Sequence, residues 1–178
     1  MQARQYKEIV AFDPHALNAM RNDYPVKFPV VHASELLARY VRDGKLSLHD
    51  KYLRGRLVTY HDPCYLGRHN GIYNDPRYVL KQIPGIRFQD MERSFTRSFC
   101  CSGGGLLLWY ENEEEKERMG ERRARMAEEI GAQVIVTACP FCLINLEDAM
   151  KTTGNEGKIE IIDLVELIDR CTRDGKDV

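Results

Sequence analysis

The chain is predicted to be an α/β protein: a mostly parallel sheet with flanking helices and its cysteine loops gathered at one sheet edge. Three observations lead there. Four short β-branched or apolar runs sit beside Gly or Pro, helix-like segments separate them, and one strand–turn–helix–strand–helix pattern occurs twice. Strands that alternate with helices pair in parallel, and functional residues then collect at the carboxyl ends of the strands.

The repeat supplies the first elements. "EIVAFDPHALNAM" (Glu8 to Met20) aligns with "VIVTACPFCLINL" (Val134 to Leu146) at a shift of 126, which places Pro14 on Pro140 and Leu17 on Leu143. "VVHASELL" (Val30 to Leu37) aligns with "IIDLVELI" (Ile161 to Ile168) at a shift of 131. Two matches in the same order mark one supersecondary unit used twice. Only the second copy is complete, so residues 1–50 are expected to be the tail of a preceding degenerate repeat plus a connector, and residues 51–178 a complete one. The first copy carries Asp13 and Ala16 where the second carries Cys139 and Cys142.

The remaining strands are expected at "RLVTY" (Arg56 to Tyr60), "IRFQD" (Ile86 to Asp90), "VIVTA" (Val134 to Ala138) and "KIEII" (Lys158 to Ile162). "DPRYVLKQI" reads as a helix with Pro76 at its first position. The segment "ENEEEKERMGERRARMAEEIGA" reads as a long helix with Met119, Met126 and Ile130 on one stripe, Glu114 paired with Arg118, Glu121 with Arg125, and Gly131 at its end. Its run "ERRARMAEE" is read as a solvated face.

Composition excludes several classes of function. A net charge of -1 gives no basic excess to recruit phosphate backbones, so no nucleic-acid partner is expected. The longest apolar runs fall far short of the roughly 20 residues that cross a bilayer, and "MQARQYKE" has no apolar signal core. The chain is therefore expected to be cytoplasmic, or the cytosol-facing part of something larger. In that compartment six cysteines point to metal or redox work rather than to disulfides.

Five of the six lie where predicted strands run into loops. Cys64 follows "RLVTYHDP", Cys100 and Cys101 follow "RSF", and Cys139 and Cys142 follow "VIVTA". In a parallel sheet such loops converge on one edge. Cys139-Pro140-Phe141-Cys142 begins a helix whose free amide donors face the thiolates, and Pro140 sacrifices no hydrogen bond there. Consecutive side chains of an extended pair point to opposite faces, so Cys100 and Cys101 reach one centre only if the backbone bends; Gly103, Gly104 and Gly105 are expected to supply that freedom and to admit bulky sulfide. Soft thiolates select zinc, copper(I) or iron–sulfur clusters. Zinc needs four thiolates, and five including a vicinal pair fit a multi-iron cluster better. Three other readings stand beside it: structural zinc in an interaction domain, a cofactor-free dithiol site at Cys139 and Cys142, and buried cysteines used as small hydrophobes. Cys171 reads as a bystander.

The order Cys…Cys-Cys-x-Gly-Gly…Cys-Pro-x-Cys, set in "YHDPCYLGR" and "VTACPFCLINLEDA", resembles the cysteine-rich CCG family, which includes the B/D-type subunits of heterodisulfide reductases and the iron–sulfur subunit of glycolate oxidase. The resemblance covers nearly the whole chain. It implies a 4Fe-4S-type iron–sulfur cluster, noncubane in some members, with Cys64, Cys100, Cys101, Cys139 and Cys142 as ligands. It further implies an electron-transfer module that forms a subunit or part of a larger oxidoreductase. The partners it implies are a ferredoxin-like or flavoprotein electron donor and a membrane quinone-reducing subunit, through which the chain would lie at the cytoplasmic membrane without entering it. Ser102 departs from the glycine that the family name expects.

Residues around the cysteines take secondary roles in this reading. His61 and Asp62 tune the centre or move a proton, or Asp62 caps the turn. His15 and His32 are structural, Arg68 steers an anion or is a solvated arginine, and Trp109 and Tyr110 cover the cluster or pack in the core.

Overall fold

The computed structural model describes residues 6–25, 27, 29–104 and 117–172. Its main sheet has four strands in the order β4-β3-β5-β6: β3 (Leu57–Tyr60), β4 (Arg87–Phe88), β5 (Val134–Thr137) and β6 (Glu160–Asp163). Every pair is parallel, with Thr59 opposite Ile135 and Ile135 opposite Ile161. A second, two-stranded parallel sheet joins β1 (Ile9–Ala11) to β2 (Val30–His32). The expected α/β class is what forms.

Side chains on β5 alternate between two apolar layers, as a sheet covered on both faces requires. Val134 and Val136 join Val58, Tyr60, Val79, Leu80, Ile162, Leu164 and Leu167 in one core. Ile135 joins Ala124, Ala127, Leu146, Ala149 and Met150 in the other, which also contains Cys101, Cys139 and Cys142. The first layer draws on α4 (Asn74–Lys81) and α7 (Leu164–Thr172), the second on α5 (Met119–Glu129) and α6 (Pro140–Thr152). Besides these, α1 (Pro14–Asn18) runs into a π turn at Ala19–Asp23, α2 (Ala33–Arg42) follows β2, and α3 (Cys64–Gly67) is a single turn.

The two short sequence matches recur as matched geometry. Ile9 pairs with Val30 as Ile135 pairs with Ile161, and Ala11 pairs with His32 as Thr137 pairs with Asp163. His32 caps α2: its Nδ1 accepts from Ser34 N at 3.2 Å while Glu35 accepts from His32 N at 2.8 Å. Asp163 accepts from Val165 N at 2.7 Å at the start of α7.

Helix α5 departs from expectation at its start and in its buried face. Arg118 is extended (ψ 152°) and caps the helix, so the helix begins at Met119; residues 111–116, with Glu114, lie outside the described residues, as do Trp109 and Tyr110. Glu121 pairs with Arg118 at 3.2 Å rather than with Arg125, which reaches Glu117 at 2.7 Å. The face turned inward is Gly120, Arg123, Ala124 and Ala127, with Met126 and Ile130 packed at its margin. Small residues let α5 approach α6 closely: a Cβ on Gly120 would stand 2.9 Å from Asn145 Nδ2. Arg123, read as part of a solvated face, is 0% exposed. Gly131 ends the helix at φ +72° as expected. Helix α4 begins at Asn74, two residues before Pro76.

Candidate metal centre

Because β3 and β5 are parallel neighbours, the loops that follow them leave the same sheet edge. The first carries His61, Asp62, Pro63 and Cys64, and His61 N donates to Val136 O at 2.8 Å, which ties it to β5. The second carries Cys139 as the N-cap of α6 with Pro140 at its first position and Cys142 in its first turn. Cys100 and Cys101 arrive from the segment beyond β4.

The five thiols form one continuous chain of sulfur contacts. Cys64 meets Cys100, Cys100 meets Cys101, Cys101 meets Cys142, and Cys142 meets Cys139. Cys101, Cys139 and Cys142 are buried and Cys64 and Cys100 half-buried, so the group opens toward solvent on the Cys64–Cys100 side. Cys171 is a separate buried thiol in the other core layer, pushed up to about 11 by burial.

Two sulfurs are set up as anions. Hydrogen bonds from Cys101 and Cys64, with Ser102 N–H at 3.3 Å, hold Cys100 far below the ordinary thiol range. The Cys142 thiol, with the amides of Cys142 and Phe141 beside it, lowers Cys139, although no side-chain capping bond forms there. The donors move the other way: Cys64 and Cys101 rise chiefly through their bonds to Cys100, and Cys142 through its bonds to Cys101 and Cys139. Five adjacent thiols cannot all ionise without a cation to neutralise them, so the donor set suits a cationic soft centre.

The bend at the vicinal pair is made differently from expectation. Ser102 takes φ +62°, and Gly103 and Gly104 are not in the left-handed region. The glycines supply close approach instead. A Cβ on Gly103 would stand 2.5 Å from Phe141 O, and one on Gly104 would stand 2.8 Å from His15 Nε2. Gly103 N–H donates to Cys101 Sγ at 3.4 Å, and Ser102 Oγ donates to Cys101 O at 2.6 Å. Gly105 lies outside the described residues.

Neighbouring side chains fix these loops. Asp62 does not cap α3, whose N-cap is Pro63. It accepts from Arg77 Nη1 and Nη2 at 2.5 and 2.8 Å and from Phe95 N at 2.9 Å, and Arg77 also reaches Asp90 at 2.7 Å. Arg68 Nη1 donates to Ser98 O at 2.9 Å, which ties the end of α3 to the segment entering the vicinal pair. Asn145 Nδ2 donates to Cys101 O. His61 Nδ1 accepts from Arg123 Nε at 3.1 Å, and one of its ring nitrogens lies within 4.8 Å of the sulfurs of Cys101 and Cys142. Burial and the Arg123 charge push His61 down to about 3. His15 donates from Nδ1 to Asp13 at 2.9 Å, and a ring nitrogen of His15, an Asp13 oxygen and Cys139 Sγ all lie within 4.8 Å of one another. Its ring lies 4.2 Å from Tyr65 and meets Phe141 edge-on at 5.1 Å, so this histidine borders the centre rather than serving the core alone.

Arg77, Arg123 and Asn145 are the site residues that the sequence did not single out. For Arg123 a signal existed: it lies on the Gly120–Ala124–Ala127 stripe of small residues. Arg77 and Asn145 carried none.

The comparisons with known proteins agree with this geometry. A family model described as a cysteine-rich domain, CCG, matches residues 58–147. A probable iron-sulfur-binding oxidoreductase, FadF, from Bacillus subtilis is 41% identical over 91% of this chain and 23% of its own length. The EtfAB:quinone oxidoreductase of Syntrophomonas wolfei is 36% identical over 91% of the chain and 24% of its own length. The dihydromethanophenazine:CoB–CoM heterodisulfide reductase of Methanosarcina barkeri has a D-type subunit that is 34% identical over 94% of the chain and 41% of its own length. The chain thus spans between about a quarter and two fifths of these relatives. With the matched region enclosing all five converging cysteines, the chain belongs to the CCG cysteine-rich domain family.

Proposed function

We propose that the chain is an iron–sulfur electron-transfer module of a larger oxidoreductase, with a four-iron cluster held by Cys64, Cys100, Cys101, Cys139 and Cys142. The observation that carries this reading is the unbroken series of five neighbouring thiols drawn from three separate loops. Zinc would be satisfied by four of these thiolates and would leave the fifth without a role. When bound, such a cluster supplies one-electron transfers at a potential set by its ligands, hydrogen bonds and burial. The chain's own residues present the sulfurs, aim Ser102, Gly103, Phe141 and Cys142 amides at them, and bury three of the five.

The names of the relatives support the redox reading: an iron-sulfur-binding oxidoreductase, an electron-transfer flavoprotein:quinone oxidoreductase and one component of a heterodisulfide reductase. A flavoprotein or ferredoxin-like electron donor and a quinone-reducing membrane partner follow as proposed partners, with the chain on the cytoplasmic side. Among the described residues no helix is long and apolar enough to cross a membrane. Residues 1–50 are proposed to be the tail of a preceding repeat plus a connector and 51–178 a complete repeat, a division supported by the matched registers of β1–β2 and β5–β6.

Anaerobic purification and reconstitution, followed by iron, sulfide and zinc analysis and low-temperature electron paramagnetic resonance, tests the reading. Several irons and sulfides per chain, lost on Cys64→Ser, support it. A single zinc that survives Cys64→Ser refutes it in favour of a structural zinc domain, and dithiol activity untouched by Cys64→Ser refutes it in favour of a Cys139–Cys142 redox site.

A further inference from the structure

Arg123 is an anomaly that a ligand list does not explain. It is wholly buried on the small-residue face of α5, and its Nη2 has no hydrogen-bond partner among the described residues. Nη1 donates to Arg93 O at 2.7 Å, and Nε donates to His61 Nδ1 at 3.1 Å. His61 is 1% exposed; one of its ring nitrogens lies within 4.8 Å of the sulfurs of Cys101 and Cys142, and Nε2, the nitrogen that Arg123 leaves free, has no hydrogen-bond partner among the described residues.

The chemistry of the contact decides the protonation pattern of the ring. A guanidinium has only donors, so Nδ1 must present a lone pair to it. A neutral imidazole with a lone pair on Nδ1 carries its proton on Nε2, the nitrogen that Arg123 leaves free beside the sulfurs. Metal ligation through Nε2 would require the opposite tautomer, with Nδ1–H pointed at Arg123 N–H, donor against donor. His61 is therefore unsuited to be a sixth ligand and suited to donate.

We propose that His61 is a fixed hydrogen-bond donor to the sulfurs of Cys101 and Cys142, locked in that tautomer by Arg123, and that the pair sets the redox potential of the centre without ligating it. This rests on the reading of the five cysteines as cluster ligands. His61 stands beside the sulfurs, and Arg123 acts through it as a positioning residue. Donation to sulfur stabilises the more negative, reduced state, as does a buried guanidinium behind the ring. Loss of either therefore lowers the midpoint potential.

The test has one arm that needs no cluster. In the reduced, metal-free, 15N-labelled chain, long-range proton–nitrogen correlation is expected to find His61 protonated on Nε2 alone, and Arg123→Leu to release the ring to a mixture of tautomers. The Nε2 proton is expected to shift on Cys101→Ala and on Cys142→Ala. A parent ring protonated on Nδ1, or an Nε2 proton indifferent to both cysteines, overturns the proposal. In the reconstituted chain, His61→Leu and Arg123→Leu are expected to retain iron and sulfide and to lower the midpoint potential, and His61→Gln, whose amide places an N–H near the former Nε2, to recover it in part. Potentials unchanged in both leucine variants overturn the proposal, and so does iron that is lost with His61→Leu yet retained with Arg123→Leu, because a ligand would behave that way. A chain that takes up no iron in any form refutes the function proposed above and leaves the tautomer arm readable, so the two failures are distinguishable.

Discussion

Replacing Arg77 with Met is expected to destabilise the chain by about 3–5 kcal/mol, the cost of leaving one member of a buried ion pair alone. The structure sets that figure. The side chains of Arg77 and Asp62 are 4% and 3% exposed, so water does not screen the pair. Two charge-assisted bonds of 2.5 and 2.8 Å vanish, and Asp62 retains only the Phe95 amide at 2.9 Å. Surface pairs such as Arg42–Asp75 are worth about 1 kcal/mol or less, because their members face water. For a chain of this length the loss corresponds to a fall of roughly 6–20 °C in Tm. Urea unfolding of the metal-free chain measures it, and the double variant Asp62→Leu/Arg77→Met isolates its origin. With the orphaned carboxylate gone, the double variant is expected to be more stable than Arg77→Met alone. A single variant within about 1 kcal/mol of the parent, or a double variant less stable than the single one, refutes the reasoning. The same loss should lower iron uptake on reconstitution, since Asp62 fixes the loop that carries Cys64.

The remaining predictions concern pH and the cysteine loops. Burial holds the His32 imidazole down at about 4 against an ordinary 6.5, so the unfolded chain takes up a proton in that window that the folded chain refuses. Stability is expected to be level above about pH 6.5 and to fall below it, His32 contributing on the order of 3 kcal/mol by about pH 4 while the buried His61, held down at about 3, adds to the same limb. His32→Asn, which preserves the cap, should make that limb shallower by about its own share in urea titrations, and an unchanged limb contradicts the assignment. Ser102→Gly relieves a left-handed serine worth about 1–2 kcal/mol and loses a hydrogen bond worth about 1 kcal/mol. Its stability should stay near or slightly above that of the parent, while Ser102→Ala, which keeps the strain and loses the bond, should fall below both. Cys139→Asp supplies a side-chain cap that the thiol does not make, and in urea unfolding of the metal-free chain it is expected to be about 1 kcal/mol more stable than Cys139→Ala. Both should abolish iron binding.

Much of the centre was legible because its parts are local. A cysteine after an apolar β-run, with proline next to it, declares both a strand end and a helix start, and parallel pairing then brings such ends together. The bend at the vicinal pair was misassigned for an equally physical reason. Glycine satisfies both a left-handed backbone and a close contact, and sequence alone does not distinguish the two needs; here Ser102 meets the first and Gly103 and Gly104 meet the second. Arg77 and Arg123 were hidden because an arginine on a helix is normally solvated, and only the packing partner converts it into a buried strut. Asp62 looked like a cap for the same reason: its local sequence fits capping, and a guanidinium 15 positions away took its oxygens first.

The start of α6 explains how one backbone design serves both a cap and a ligand. Asp13 and Cys139 stand at matching places after β1 and β5, and both are extended, with ψ of 121° and 123°. Asp13 accepts from the amides two and three residues ahead, His15 N at 3.0 Å and Ala16 N at 3.2 Å. Cys139 makes no side-chain capping bond, but the amides at the same offsets, Phe141 and Cys142, lie close enough to lower its thiol. Any small anion at this position satisfies the first free donors of the helix. The backbone therefore demands an acceptor, not a sulfur. Which anion stands there decides only whether a soft metal can also bind, and so a strand–turn–helix unit can exchange ligation for plain capping without altering its fold.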